Sequence, residues 1–134
     1  MSDISIRKTG KTGRITLNRP DALNAVTHDM ILQISAVLPE WEADPEIAML
    51  VIDAVGDRAF CAGGDLMGIY NAMVAQDYDA PRQFWRDEYA MNAALFHFPK
   101  PVATFLQGFT MGGGVGVGCH GSHRIVGDLS LIHI

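Results

Sequence analysis

The sequence predicts an α/β fold, and three observations carry the prediction. Short, nearly uncharged apolar runs such as "IAMLVIDAV" and "VATFLQG" alternate with longer stretches whose apolar residues recur at helical spacing. Prolines stop the helical stretches at Asp44-Pro45 and at Pro99 and Pro101. Glycine-bearing turns follow both apolar runs, where a strand hands over to a helix.

The elements follow in order. "ISIRKTGKTGRITLNRP" predicts two short strands around the Lys8–Gly13 turn, ending before Pro20. A helix starts near Thr27, a suitable N-cap, and places Met30, Ile31, Ile34, Val37, Leu38 and Trp41 on one apolar face. "IAMLVIDAV" reads as a strand covered on both sides. "GDRAFCAGGDLMGIYN" is a glycine loop that turns into a helix, and a second helix runs from about Pro81 to Phe98. "VATFLQG" is another buried strand, "GFTMGGGVGVG" opens a helix, and "HRIVGD" begins the next strand. A sheet ending there has an open edge, as in a truncated domain.

Bulk properties bound the function. The 134 residues carry 49% hydrophobic and 19% charged residues and a formal charge of −5. That balance argues against nonspecific nucleic-acid binding or an anionic membrane surface, though a local basic patch could still meet an anionic ligand. No apolar run is long enough to span a bilayer, and "MSDISIRKTGKTG" lacks a signal core. The two cysteines, Cys61 and Cys119, form neither a zinc spacing nor a disulfide framework, so a reducing compartment is expected. The last six residues, "LSLIHI", follow "HRIVGD" with no turn or cap. They equal the translation of CTG TCT CTT ATA CAC ATC, the end of a common transposon-based sequencing adapter. The expectation is therefore a native part over residues 1–128 and an adapter translation over 129–134, as in a short metagenomic insert; a genuine terminal strand is the alternative.

"GFTMGGGVGVG" holds six glycines in eleven positions. It is no P-loop, since no lysine follows the glycines. "GVGCHG" matches GxGxxG formally, but it lies after the helix has begun and not at a first strand-to-helix turn. Two readings remain open, tight packing and amide donation. "AFCAGGD" is a second glycine turn after an apolar strand. If the two turns converge, each presents a backbone N–H, and a pair of amides facing one point is an oxyanion hole for an enolate or a tetrahedral thioester intermediate. Glycine permits the close approach, and a helix N-terminus favours the negative charge.

"ITLNRPDALNAVT", "AFCAGGD" and "GFTMGGGVGVG", in this order, resemble the crotonase (enoyl-CoA hydratase/isomerase) superfamily over residues 4 to 128. The resemblance implies a spiral of β-β-α units truncated after the first part of the core. It implies an acyl-CoA thioester substrate whose carbonyl oxygen sits between the amides of Gly64 and Gly113. Asp65 matches the acid that commonly shapes the first turn. No cofactor is implied beyond the coenzyme A of the substrate, and no metal. Hydratase-type members carry a glutamate two residues after GGG; here that position is Gly116, and glycine cannot transfer a proton.

On a helical wheel Phe84, Glu88, Met91 and Leu95 fall within about 60° of one another, with Trp85, Tyr89 and Phe96 widening the arc. Glu88 thus lies on the face expected to be buried, while Gln83, Arg86 and Asp87 take the other side. A buried carboxylate is either paired in a salt bridge or available to substrate and water. "FWRDEYAMN" and "GFTMGGGVGVGCHGSHRIV" resemble the 3-hydroxyisobutyryl-CoA hydrolase branch, in which the glutamate matching Glu88 contacts substrate. That branch hydrolyses a short 3-hydroxyacyl thioester in valine degradation. Its catalytic glutamate and aspartate lie beyond the next strand, just past Ile134, so the chain as given is expected to be inactive.

Other residues invite chemistry and have plainer readings. Cys61 as a nucleophile needs a base such as His120 or His123, and no such pairing is visible; packing beside the turn is the plainer role. Cys119 and His120 lack further ligands for a metal. His97 reads as structural. Lys8, Lys11, Arg14 and Lys100 are candidates for coenzyme A phosphates or for ordinary solvated turns. A noncatalytic acyl-CoA-binding protein and an enoyl-CoA hydratase or isomerase stay open as alternatives. Relatives often assemble through C-terminal helices, so the longer protein is expected to be capable of oligomerising. The compartment expected is a bacterial cytoplasm or, in a eukaryote, an organelle matrix.

Overall fold

The computed structural model describes residues 2–133; Met1 and Ile134, the last of the six terminal residues singled out above, lie outside it. The chain begins with a hairpin of β1 (Ile4–Thr9) and β2 (Thr12–Leu17), antiparallel around Gly10 and Lys11. Helix α1 (His28–Ala43) follows, then β3 (Met49–Ala54), β4 (Ala59–Cys61), α2 (Leu66–Val74) and α3 (Asp79–Phe96). The remainder is β5 (Val102–Leu106), β6 (Phe109–Met111), α4 (Gly113–Cys119), β7 (His123–Val126) and β8 (Leu131–His133).

The strands form two sheets. One runs β1-β2-β3-β5-β7, parallel after the first hairpin; the other is the short parallel sheet β4-β6-β8. From β3 onward each strand of the large sheet is followed by one of the small sheet. Helices follow the first two such pairs, which gives the turns of a β-β-α spiral. Gly108, at φ 59°, makes one of these corners: a Cβ there would collide with the Arg58 carbonyl. The three-residue strands of the small sheet have no readable alternation, so the sequence shows them only as loops.

Helix α1 packs its apolar stripe on the large sheet. Thr27 caps it, its Oγ1 accepting from the Met30 amide at 3.2 Å. Met30, Ile31, Ile34, Leu38 and Trp41 are buried with Ile15, Leu17, Leu50 and Ile52. A side chain at Gly13 would strike the Trp41 indole, so the indole lies flat on the hairpin. At the helix end Lys100 Nζ donates to the carbonyls of Trp41 (2.5 Å) and Asp44 (2.7 Å), satisfying the orphan acceptors of the last turn. That is a structural task, where a phosphate contact was the other candidate. Lys8 pairs with Asp44 and Arg14 with Asp53, both within the hairpin's surroundings.

Two expectations need correction. β3 is not equally covered on both sides: Leu50 and Ile52 are fully buried, whereas Met49 and Val51 are half-covered. On α3 the buried stripe stays narrow, and Trp85, Tyr89 and Phe96 are exposed at 45%, 70% and 65%. The edge strand β7 is exposed throughout. The strand does not end the ordered chain, however, since Leu131–His133 pair with β6 as β8. Among the described residues no helix is long and apolar enough to cross a membrane.

Candidate active site

Both glycine turns are built by the small sheet. After β4 the chain runs extended beside Val26: the Val26 amide donates to Gly63 O and the Asp65 amide to Val26 O, each at 2.9 Å. In an extended segment successive amides alternate in direction, so the Gly64 N–H faces away from Val26. It has no acceptor among the described residues. After β6 the chain turns at Gly112, with φ 52° and ψ −118°, and enters α4 at Gly113. As the first helical residue, Gly113 has an N–H with no intrahelical acceptor, and none is supplied by the described residues.

The two turns meet. A Cβ on Gly113 would stand 3.1 Å from Gly64 N, 3.3 Å from the Gly63 carbonyl carbon and 2.6 Å from Glu88 Oε1. Residues from three separate elements therefore crowd one point, and a side chain at 113 would displace the Glu88 carboxylate and press on the Gly63–Gly64 backbone.

Glu88 reaches this point from α3 and is 7% exposed. The salt bridge considered for it is not formed, because it has no ion-pair or hydrogen-bond partner among the described residues. Burial pushes its carboxyl above the ordinary glutamate range, since the charged form loses hydration without gaining a counter-ion. Its neighbour Asp87, half-buried on the side of α3 that faces α1, accepts instead from His28 at 2.7 Å. Glu88, Gly64 and Gly113 open onto a cavity of about 290 Å³ whose apolar wall includes Phe84, Ile69 and Leu66. The combination is two free amides, one uncompensated carboxyl and an apolar wall. It can hold a small acyl group and polarise a carbonyl.

Asp65 does not line this cavity; its carboxylate turns toward Arg19, 3.6 Å away. Gly116 is buried, and a Cβ there would lie 2.5 Å from Asn92 Nδ2 and 2.8 Å from Oδ1. The Asn92 carboxamide thus fills the space a side chain at 116 would need. Asn92 is 9% exposed, and its Oδ1 has no partner among the described residues. It escaped the sequence reading because it falls at the margin of the α3 stripe, one turn beyond Glu88. Cys61 is wholly buried, its Sγ 3.4 Å from Gly63 O, and burial pushes its thiol up to about 11. A thiol held protonated is no nucleophile at neutral pH. His120 lies at the exposed C-terminal end of α4, edge-on to Phe96 at 6.1 Å. His97 also meets Phe96 edge-on, at 5.0 Å between ring centres.

Residues 12–133 match the sequence profile described as Enoyl-CoA hydratase/isomerase. The chain belongs to this family. Members similar to it include the mitochondrial 3-hydroxyisobutyryl-CoA hydrolases of Homo sapiens, 45% identical over 129 residues, and Danio rerio, 42% identical over 130. These alignments cover 96% and 97% of the chain but 33% and 34% of the relatives, so it spans about a third of their length. Among solved structures, an enoyl-CoA hydratase from Rhodobacter sphaeroides 2.4.1 superposes with a TM-score of 0.95 at 55% identity. That match covers 98% of this chain and 39% of the other. A carnitinyl-CoA dehydratase from Mycobacterium thermoresistibile gives 0.93 at 40% identity, covering 98% and 38%. The fold is therefore the crotonase fold, and the spiral described above is a part of it.

Proposed function

We propose that this chain is the N-terminal part of an acyl-CoA thioester hydrolase. Its substrate is 3-hydroxyisobutyryl-CoA or a similar short 3-hydroxyacyl-CoA. The observation that carries the reading is the close approach of the Gly64 and Gly113 turns, each with a free amide, beside Glu88. In hydrolysis, water adds to the thioester carbon and the carbonyl oxygen becomes an oxyanion; two amides about 3 Å away stabilise that charge. Collapse of the intermediate expels the coenzyme A sulfur, which takes up a proton. Glu88, whose carboxyl burial pushes up and leaves without a counter-ion, is suited to hydrogen-bond the acyl group or its 3-hydroxyl.

Proton transfer to and from the attacking water needs further acids. By the resemblance they follow residue 134. In support, the Gly112 amide donates to His133 O at 3.3 Å, so β8 leads to the rim of the same turn. Phe105, Phe109, Ile125 and Leu131 are exposed on neighbouring strands, a surface suited to cover by the rest of a longer chain. We also propose that residues 129–134 replace a native strand of similar pattern; a longer read of the locus retaining them would contradict this.

The enoyl-CoA hydratase reading has its own support in the R. sphaeroides structure. Against it stands Gly116, where hydratase-type members hold an acid and where the Asn92 carboxamide occupies the space one would need. Assay of the full-length protein decides: release of coenzyme A from 3-hydroxyisobutyryl-CoA without hydration of crotonyl-CoA supports the hydrolase. The reverse supports the hydratase. Binding without turnover of either supports a noncatalytic acyl-CoA-binding protein. The 134-residue chain alone is expected to release no coenzyme A.

A further inference from the structure

Asp65 stands at the N-cap of α2, where a carboxylate ordinarily accepts from the first free helix amides. Its side chain makes no such bond. It faces Arg19, whose Nη2 lies 3.6 Å from Asp65 Oδ2 while Nη1 donates to Ala25 O at 2.6 Å. One guanidinium therefore spans two adjacent stretches of chain, 19–26 and 62–65. Its remaining contact, Nε to Asp3 Oδ2 at 3.4 Å, reaches a half-exposed carboxylate at the periphery.

The first of these stretches is rigid. Leu23 and Asn24 both take positive φ, 51° and 56°. Asn24 is 1% exposed, and its Nδ2 donates to Val55 O and Ala59 O at 3.0 and 2.9 Å. The second stretch leans on it through Ala62 N–H to Leu23 O (3.0 Å) and the two bonds of Val26 that flank Gly64. Beyond those bonds the loop contains two consecutive glycines, Gly63 at φ 140°, and nothing in its own sequence stiffens it.

We propose that Arg19 is a positioning residue: by bridging the Ala25 carbonyl and the Asp65 carboxylate, it locks the Gly63–Asp65 loop so that the Gly64 amide points at the acyl oxygen. The inference rests on the thioester reading of the site. A planar fork with separate donors serves two acceptors at once, which the point charge of a lysine does not. Arg19 also borders an open cavity of about 400 Å³ with Asp3, Asn18 and Asp21. Its other possible employment is thus contact with an anionic group of the ligand, and the test separates the two.

The test uses the full-length protein and 3-hydroxyisobutyryl-CoA, with Arg19→Met, Arg19→Lys, Asp65→Asn and the Arg19→Met/Asp65→Asn double variant. Circular dichroism establishes that each is folded. Asp65→Asn, nearly isosteric, keeps the test open should Arg19→Met not fold. The expected result for Arg19→Met and Asp65→Asn is a kcat lower by about 10- to 100-fold with KM little changed, the scale of a misaimed catalytic group. The double variant is expected to be no worse than either single one, and lysine to rescue only in part. The infrared carbonyl band of the bound thioester should move back toward its free frequency in both single variants. A raised KM with kcat and carbonyl band unchanged would overturn the proposal and make Arg19 a ligand contact. Additive losses would overturn it as well. If the wild-type protein itself shows no carbonyl shift, the thioester reading falls and this inference with it. A wild-type shift that the variants retain defeats this inference alone.

Discussion

Glu88 Oε1 lies against Gly113 so closely that a methyl group on the glycine would stand 2.6 Å from it. The contact joins the middle of α3 to the first residue of α4 and puts an uncompensated carboxyl beside two free amides. Most of what the site can do depends on this one approach.

Gly113→Ala tests the approach directly. The new methyl meets Glu88, the Gly64 amide and the Gly63 carbonyl carbon, so the carboxylate must move aside and the two turns must give by a few tenths of an ångström. Loss of about 1–3 kcal/mol of stability is expected from overpacking. In the full-length protein, kcat is expected to fall by about 10²–10³, the scale for a lost oxyanion donor. Chemical denaturation and coenzyme A release measure the two effects.

Glu88→Gln removes the charge and keeps the shape. Burial raises the carboxyl's pKa in the folded state, so folding binds a proton between the unfolded and folded values. The cost of burying the carboxylate is fully present above the folded pKa and vanishes as pH falls below the unfolded one. Glu88→Gln is therefore expected to melt higher than wild type at neutral pH. The difference should close in acid. Melting curves across pH check it; a difference that does not depend on pH would contradict the burial argument. Activity is expected to drop in the same variant, separating function from stability.

Asn92 and Gly116 are expected to be coupled. Gly116→Ala drives a methyl into the Asn92 carboxamide and should cost about 1–3 kcal/mol. Asn92→Ala makes room, so the double variant is expected to be more stable than the sum of the two losses predicts. Double-mutant denaturation measures the coupling.

The two thiols should differ in reach. Cys61 is fully buried with its pKa pushed up to about 11, whereas Cys119 is half-buried. Iodoacetamide at mild alkaline pH is expected to label Cys119 slowly and Cys61 only after denaturation. Mass spectrometry of the native protein, with prompt labelling of Cys61, would contradict the packing around the first turn.

Much of this organisation was legible beforehand, for physical reasons that differ by element. Thr27 and the stripe from Met30 to Trp41 announce α1 because a cap and a 3.6-residue period are local signals. Glu88 stood out because a carboxylate on an apolar stripe conflicts with its surroundings. The strands β4, β6 and β8 did not stand out, since three residues are too few for a period. Trp85, Tyr89 and Phe96 lie on the stripe's edge, where a wheel counts them as buried; each is instead exposed, with Trp85 lining the cavity. Arg19 and Asp65 form a link 46 positions apart, and Asn92 meets Gly116 across two helices; no local pattern encodes either contact.

The central claim is that the Gly64 and Gly113 amides hold a thioester carbonyl oxygen. Its most direct test is the infrared carbonyl band of carbonyl-¹³C-labelled 3-hydroxyisobutyryl-CoA bound to the full-length protein. Two amide donors draw electron density to the oxygen, so the band is expected at lower frequency than in free solution, with the shift abolished in Gly113→Ala. A bound thioester whose carbonyl band stays at its free-solution frequency would contradict the account.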